Sequence, residues 1–288
     1  MKDRHVLTNG YLSATIKAEG AELCSLRDTE DAELLWQAEP VWPRYAPVLF
    51  PIVGRLKDDT LRHRGRSYPI TQHGFARDRR FAWLQRTATS SRLALHDDAT
   101  TRAQFPFAFR FEIAYALADD ALEITYTVGN PGREVLPVSV GAHPAFRWPL
   151  ADGLEKEAHL LEFEAPEPAP VRRLADGLLK PEAQPTPIAG RTLGLDPSLF
   201  VADAIILDRL ASRSVRYMAP GAPTIELSWE GFTELGIWSK QEGSFLCIEP
   251  WHGTASPQGF DGEFAEKPGL MLLQPGDRRV LLHRIRIC

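Results

Sequence analysis

The chain has 288 residues, 44% of them apolar and 25% charged, which gives room for one large domain or two average ones of ordinary globular composition. Lys and Arg number 33 against 38 Asp and Glu, a net charge of −5 that argues against a dedicated nucleic-acid or anionic-membrane surface. Three widely spaced cysteines, Cys24, Cys247 and Cys288, do not read as a disulfide framework or a zinc site and favour a reducing compartment.

The opening "MKDRHVLTNG" lacks the apolar core of a signal peptide. The longest nearly apolar run, "APVLFPIV" (46–53), is too short to span a bilayer and is interrupted by prolines. The expectation is a cytoplasmic protein. "YLSATI" (11–16) is the first strand-like run. The best helical pattern is short, near 97–104, and ends before Pro106. Phe109, Phe111, Ile113, Tyr115 and Leu117 then alternate with smaller or polar residues. After "ADDA" the alternation resumes at Leu122, Ile124, Tyr126 and Val128, so an antiparallel hairpin with one buried face is predicted. The Pro-, Glu- and Ala-rich stretch 149–197 carries Leu160, Leu161, Phe163, Leu193 and Leu195. It reads as irregular edge strands and loops within one domain rather than as a linker. Further short runs follow at 223–229, 234–239, 244–251 and 279–287, separated by turn signals. Many short strands and few helices predict an all-β chain, a sandwich or a barrel, with residues 1–288 as one domain. No internal repeat and no Gly-rich phosphate loop is found.

Four polar clusters follow apolar runs. "VLFPIVGRL" contains Arg55. "ITQHGFARDRRF" contains His73, Arg77, Arg79 and Arg80. "VSVGAHPAF" leads to His143, and "FLCIEPWHG" places Glu249 inside an apolar strand. A buried unpaired carboxylate is costly, so Glu249 needs partners or a function, unless it simply reaches solvent at a strand end. A lone histidine near a strand end is more often structural than catalytic, and Arg55 read alone is an ordinary surface charge. Trp42, Trp148, Trp251, Phe50 and Phe146 sit beside these clusters. Most belong in a core, and one or two are candidates for a face that stacks on a sugar ring. Two imidazoles and one carboxylate fit either a metal triad or an acid–base pair. The absence of a closely spaced pair such as His-x-His favours acid–base chemistry without metal or other cofactor.

"FPIVGR", "QHGFARD", "GAHPAF" and "IEPWHG", in this order over nearly the whole chain, resemble the aldose 1-epimerase (mutarotase) superfamily, in particular its bacterial branch with Gln-His-Gly-Phe-Ala-Arg. The resemblance implies a large twisted antiparallel β-sandwich whose concave face holds a sugar. It implies Glu249 as catalytic base, His143 as catalytic acid and His73 as the second active-site histidine. Arg55 corresponds to a substrate-binding arginine, and Asp203 to the aspartate that binds sugar hydroxyls, with Asp208 as its competitor. Trp251 belongs with the substrate contacts. "GAHP" departs from the Asn-His and aromatic pair that many mutarotases carry at the acid position, which leaves the sugar open. A related branch acting on hexose 6-phosphates shares the signature, and there Arg77 meets a phosphate at the rim while Arg79 and Arg80 are exposed. The partner implied is a small sugar, with no nucleic acid, no membrane and no cofactor, and the protein is expected to be a monomer or homodimer. A carbohydrate-binding module that keeps the fold without turnover is the alternative from another class.

Overall fold

The alternating run 109–128 folds as predicted, and it lies inside a nine-stranded sheet. The computed structural model describes residues 3–288. In it Arg110–Ala118 pairs antiparallel with Ala121–Gly129, with Ala118 opposite Ala121 across the Asp119-Asp120 turn. Phe111, Ile113, Tyr115, Leu122, Ile124, Tyr126 and Val128 are buried. One apolar residue in two is the pattern that buries one face of a strand. The left-handed φ of 51° at Asp119 is one that Asp tolerates in a tight hairpin turn.

The sheet runs in the order Thr192–Gly194, Leu160–Phe163, Ser214–Met218, Ile225–Glu230, Arg278–Ile287, Ala121–Gly129, Arg110–Ala118, Ser90–His96 and Ala82–Arg86. A second, six-stranded sheet is built around Phe245–His252. One edge of that strand pairs with Glu234–Trp238, and beyond it lies Ile205–Leu207. The other edge pairs with Val140–Ala142 and Ala145–Arg147. Neighbouring strands are antiparallel in both sheets. One apolar cluster joins Phe111, Ile113 and Leu281 of the first sheet to Val140, Phe146 and Ile248 of the second. The architecture is the antiparallel β-sandwich expected.

The helix expected at 97–104 is reduced to Ala99–Arg102. Asp98 caps it by accepting from the Thr101 amide (2.7 Å), and the Asp98 amide donates to the Thr101 hydroxyl (2.8 Å). The stretch 149–197 supplies Leu160–Phe163 and the edge strand Thr192–Gly194, with Leu161, Phe163, Leu193 and Leu195 in the main core. Leu160 is only half-buried. All three cysteines are free, Cys24 and Cys247 buried and Cys288 exposed. Among the described residues no helix is long and apolar enough to cross a membrane.

Candidate active site

Strand pairing places His143 opposite Glu249. Gly141 pairs with Trp251 and Ala145 with Cys247 in the same continuous register, and His143 and Glu249 fall between these two pairs. Pro144 breaks the ladder there, because it has no N–H to donate. The result is a contact of 3.2 Å between His143 Nε2 and Glu249 Oε2, with both side chains buried. Trp251, two residues beyond Glu249 on the same strand, donates its indole N–H to the same carboxylate oxygen at 3.2 Å. Its ring fits between neighbouring strands only because Gly141 and Gly236 flank it. A Cβ on Gly236 would lie 2.5 Å from the indole and one on Gly141 2.7 Å away.

His73 reaches the site through two laced loops. Its amide donates to Gly54 O (2.8 Å), and the Gly54 amide donates back to His73 Nδ1 (3.1 Å). An Nδ1 that accepts cannot carry a proton, so the neutral ring carries its hydrogen on Nε2. Both His73 and Gly74 have positive φ, 66° and 70°. Gly74 passes so close to the Phe50–Pro51 backbone that a Cβ would lie 2.4 Å from Phe50 O. "FPIVGR" and "QHGF" are therefore two halves of one structural unit.

Around these groups lies a pocket open to solvent. His73, His143, Glu249, Trp251, Asp203 and Arg77 all line it. Trp42 stacks on the His143 ring at 5.2 Å and 28°, and Trp238 meets that ring edge-on at 5.9 Å. The two imidazoles are 5.7 Å apart, nearly perpendicular.

Burial dominates the electrostatics. It pushes the Glu249 carboxyl well up, a shift opposed by the Trp251 hydrogen bond and helped by the charge of Asp203. It holds the His143 imidazolium down to about 3, with the charge of Arg77 adding to the effect. Burial also takes His73 well below the usual histidine range, followed by the influence of His143, Arg77 and Arg44. His73 is thus a neutral donor at neutral pH. Charge is thus disfavoured on both Glu249 and His143.

Two expected site residues are placed elsewhere. Arg55 does not line the pocket. Its guanidinium grips Asp59 through two hydrogen bonds of 2.6 and 2.7 Å and donates to Asp176 O at 3.3 Å. The partner four residues on supplies a fork that matches the guanidinium, which draws it away. Asp208 lies 3.5 Å from Arg172 and is also outside the pocket, so Asp203 is the aspartate brought to the site. Asp203 has a left-handed φ of 66°, and Arg173 donates to its carbonyl at 2.7 Å.

Arg77 is more deeply placed than a rim residue. Its guanidinium donates to Gln72 O (2.8 Å), and its buried Nε has no hydrogen-bond partner among the described residues, its ion-pair contact with Asp78 Oδ2 being 3.7 Å long. Burial, with Arg44 second, lowers its pKa to about 10, so it stays charged at neutral pH. Arg44 binds Asp78 at 2.9 Å. Arg80 is exposed as expected, but Arg79 is only half-exposed, with its guanidinium 5.9 Å from the Phe75 ring. Trp148, Phe50 and Phe146 belong to the core. Trp238, Gln72 and Arg44 escaped the sequence reading. Only the glycine in "ELGIWS" marked the strand of Trp238 as one pressed against something large.

His143, Cys247 and Glu249 bring potential ligand atoms within 4.8 Å of one another. Cys247 packs among Trp36, Ala145 and Phe245 rather than on the pocket wall, and burial pushes its thiol well up. The pocket itself presents one carboxylate paired to one imidazole, an arrangement suited to moving a proton.

The family profile described as aldose 1-epimerase matches residues 3–268. Protein LacX, chromosomal, from Lactococcus lactis subsp. lactis is 32% identical over 284 residues, covering 94% of this chain and 95% of that one. The solved structure of a galactose mutarotase related enzyme from Lactobacillus acidophilus superposes with a TM-score of 0.91 at 32% identity, covering 99% of this chain and 97% of that one. A galactose mutarotase-like protein from Lactobacillus casei superposes with a TM-score of 0.91 at 28% identity, covering 99% and 100%.

Proposed function

The chain belongs to the aldose 1-epimerase family, and from that premise we propose that it interconverts the α and β anomers of an aldohexose, with Glu249 and His143 moving the protons. The observation that carries this reading is the buried 3.2 Å contact between His143 Nε2 and Glu249 Oε2 at a pocket walled by Trp42, Trp238 and Trp251.

Anomer exchange breaks the bond between C1 and the ring oxygen O5. The proton on O1 must leave, and O5 must gain one. Glu249 takes the first and His143 gives the second. The pair therefore holds one proton before and after opening: burial leaves it on the carboxyl in the sugar-free protein, it passes to His143 across the 3.2 Å contact once the sugar is bound, and ring opening returns it to the carboxyl. Rotation about C1–C2 and closure on the other face run the same transfers in reverse, so each turnover restores the pair without help from solvent. No electrons change hands and no group is transferred. Each positioned acid or base contributes about 10²–10⁴-fold. Orientation of the ring by the His73 Nε2–H and the Asp203 carboxylate adds to that. The tryptophans offer apolar faces to sugar C–H groups.

A second substrate reading, a hexose 6-phosphate, is favoured by Arg77. A charged guanidinium on the pocket wall, whose buried Nε makes no hydrogen bond and has Asp78 as an ion-pair neighbour only at 3.7 Å, suits an anionic substituent. NMR exchange spectroscopy across aldoses and their 6-phosphates tests both readings at once. Turnover of neutral sugars supports the first, preference for the phosphates supports the second, and no acceleration of any sugar returns the protein to the class of binding modules.

A further inference from the structure

His143 borders two cavities. One is the pocket. The other is small and interior, between the two sheets, and is also lined by Tyr115, Ile124, Tyr126 and His283. Nε2 of His143 faces Glu249. Its Nδ1 is buried and has no hydrogen-bond partner among the described residues. His283, from the strand Arg278–Ile287 of the opposite sheet, is 2% exposed, and its Nδ1 is in the same condition. Buried polar atoms are nearly always paired, so two histidines that line one small cavity, each with an unpaired Nδ1, call for a common partner.

Its walls narrow what that partner is. Tyr115 spends its hydroxyl proton on Ala21 O at 2.6 Å. Tyr126 stacks on the His283 ring at 5.7 Å and 18°, which fixes the plane of that ring. No lysine, arginine or carboxylate lines the cavity. Its free space is about that of one water molecule, and a buried water is stable where it finds two to four polar partners.

We propose that one buried water bridges His143 Nδ1 to His283 Nδ1, and that His283 is thereby a positioning residue that fixes the tautomer of His143. The water accepts from His143 Nδ1–H and donates to His283 Nδ1. Burial keeps His283 neutral, its pKa held to about 3, so it can serve as that acceptor. With one hydrogen committed to Nδ1, Nε2 becomes the atom of His143 that gains and loses a proton. This is the atom that faces Glu249. The ring's own backbone approaches it without meeting hydrogen-bond geometry at Nδ1, and the other groups around His143 do not compete for that atom. Glu249 is on Nε2, His73 meets the ring edge-on, Trp42 and Trp238 offer aromatic carbon, and Arg77 and Arg44 act only through their charge.

The water and the tautomer stand on geometry alone, whereas their catalytic consequence rests on the mutarotase reading. The test therefore reads them separately. Two-bond ¹H–¹⁵N correlation of the sugar-free protein labelled at histidine, with His143 assigned by its loss in His143→Asn, reports which ring nitrogen carries hydrogen. The expected result is an Nδ1–H tautomer for His143. His283→Phe, which keeps the ring shape and the Tyr126 stack, should convert it to a mixture or to Nε2–H. His283→Gln, which restores an acceptor, should return it. For turnover, His283→Phe should lower kcat at least about 10-fold with KM unchanged, by analogy with the outer partners that orient metal-bound histidines, and His283→Gln should recover part of it. An unchanged His143 signature in a folded His283→Phe protein overturns the proposal. So does a crystal structure of the natural protein with no density between the two rings. A tautomer that shifts in a protein inactive on every sugar would leave the positioning proposal standing and remove the mutarotase reading instead.

Discussion

Glu249 and His143 face each other across one antiparallel register, and a single contact of 3.2 Å joins them in a setting that disfavours charge on either. Removing the titrating oxygen while keeping the shape is the direct check. Glu249→Gln retains an amide oxygen for the Trp251 N–H and should lose at least about 10²-fold in kcat while sugar binding largely survives. His143→Asn should behave alike. Near-native turnover in Glu249→Gln, measured by polarimetry, would take Glu249 out of the mechanism.

The pH profile follows from the shared proton. Burial holds His143 to about 3 and raises Glu249 well above 4.5, so the pair carries one proton between these limits. It gains a second only well below the usual histidine range and loses its last only at the raised carboxyl pKa. The rate should therefore show no acid limb near 6.5, the ordinary histidine value. A limb centred there in kcat would mean that His143 titrates as an independent imidazole.

His73 has a different task. Its Nδ1 accepts from Gly54, so it can offer the pocket only Nε2–H. His73→Asn should raise KM at least as much as it lowers kcat, because a neutral donor to a hydroxyl acts on both the bound and the reacting sugar. A pure kcat loss with unchanged KM would instead make His73 part of the proton-transfer machinery.

Much of this was legible in the sequence, and the reasons are specific. The hairpin around Asp119 was readable because alternation is a local property. Residue types and order singled out His143, His73 and Glu249. Register did not follow from them, since no local pattern states that Gly141 pairs with Trp251. Arg55 was drawn from a motif that cannot say which carboxylate competes for it, and Asp59 wins that competition by proximity. Asp203 and Asp208 lie in one apolar run, and only the chain path separates them. Trp238 and Arg44 come from unremarkable surroundings and become site neighbours through long-range packing alone.

Lys267 offers a test of the fold apart from the chemistry. It is 3% exposed and donates only to the Pro268 carbonyl, at 3.2 Å. Burial lowers its pKa from 10.5 to about 8, partly offset by Glu234. The unfolded chain thus holds this proton more tightly than the folded one. The ammonium penalty is fully present below pH 8 and disappears as pH rises towards 10.5. By linkage the penalty is about 3 kcal/mol. Lys267→Met should recover up to that amount at pH 7 in chemical denaturation, less the lost hydrogen bond, and should match or fall below the parent near pH 10.5. A variant destabilised equally at both pH values would show that packing around the ammonium outweighs its desolvation.

Arg77 is the residue through which the neutral-sugar and hexose 6-phosphate readings can be told apart. A hexose 6-phosphate needs a cation near its C6 end. Arg77 lies on the pocket wall with a buried Nε that makes no hydrogen bond and only a 3.7 Å ion-pair contact with Asp78, and Arg44 adds charge nearby. The same guanidinium also has a structural contact, the hydrogen bond to Gln72 O that braces the loop before His73. The two roles separate by substrate. A charge-assisted contact to phosphate is worth roughly 1.5–3 kcal/mol, about 10- to 150-fold in affinity. Arg77→Ala should raise KM for a hexose 6-phosphate by that factor and leave KM for the neutral hexose nearly unchanged. If bracing dominates, His73 moves for every substrate, and both sugars lose rate and binding together. Arg77→Lys sharpens the comparison. It keeps the charge but loses the planar fork, so it should recover most of the phosphate affinity if charge is what the site supplies. An equal loss on both sugars in Arg77→Ala would remove the phosphate from the site.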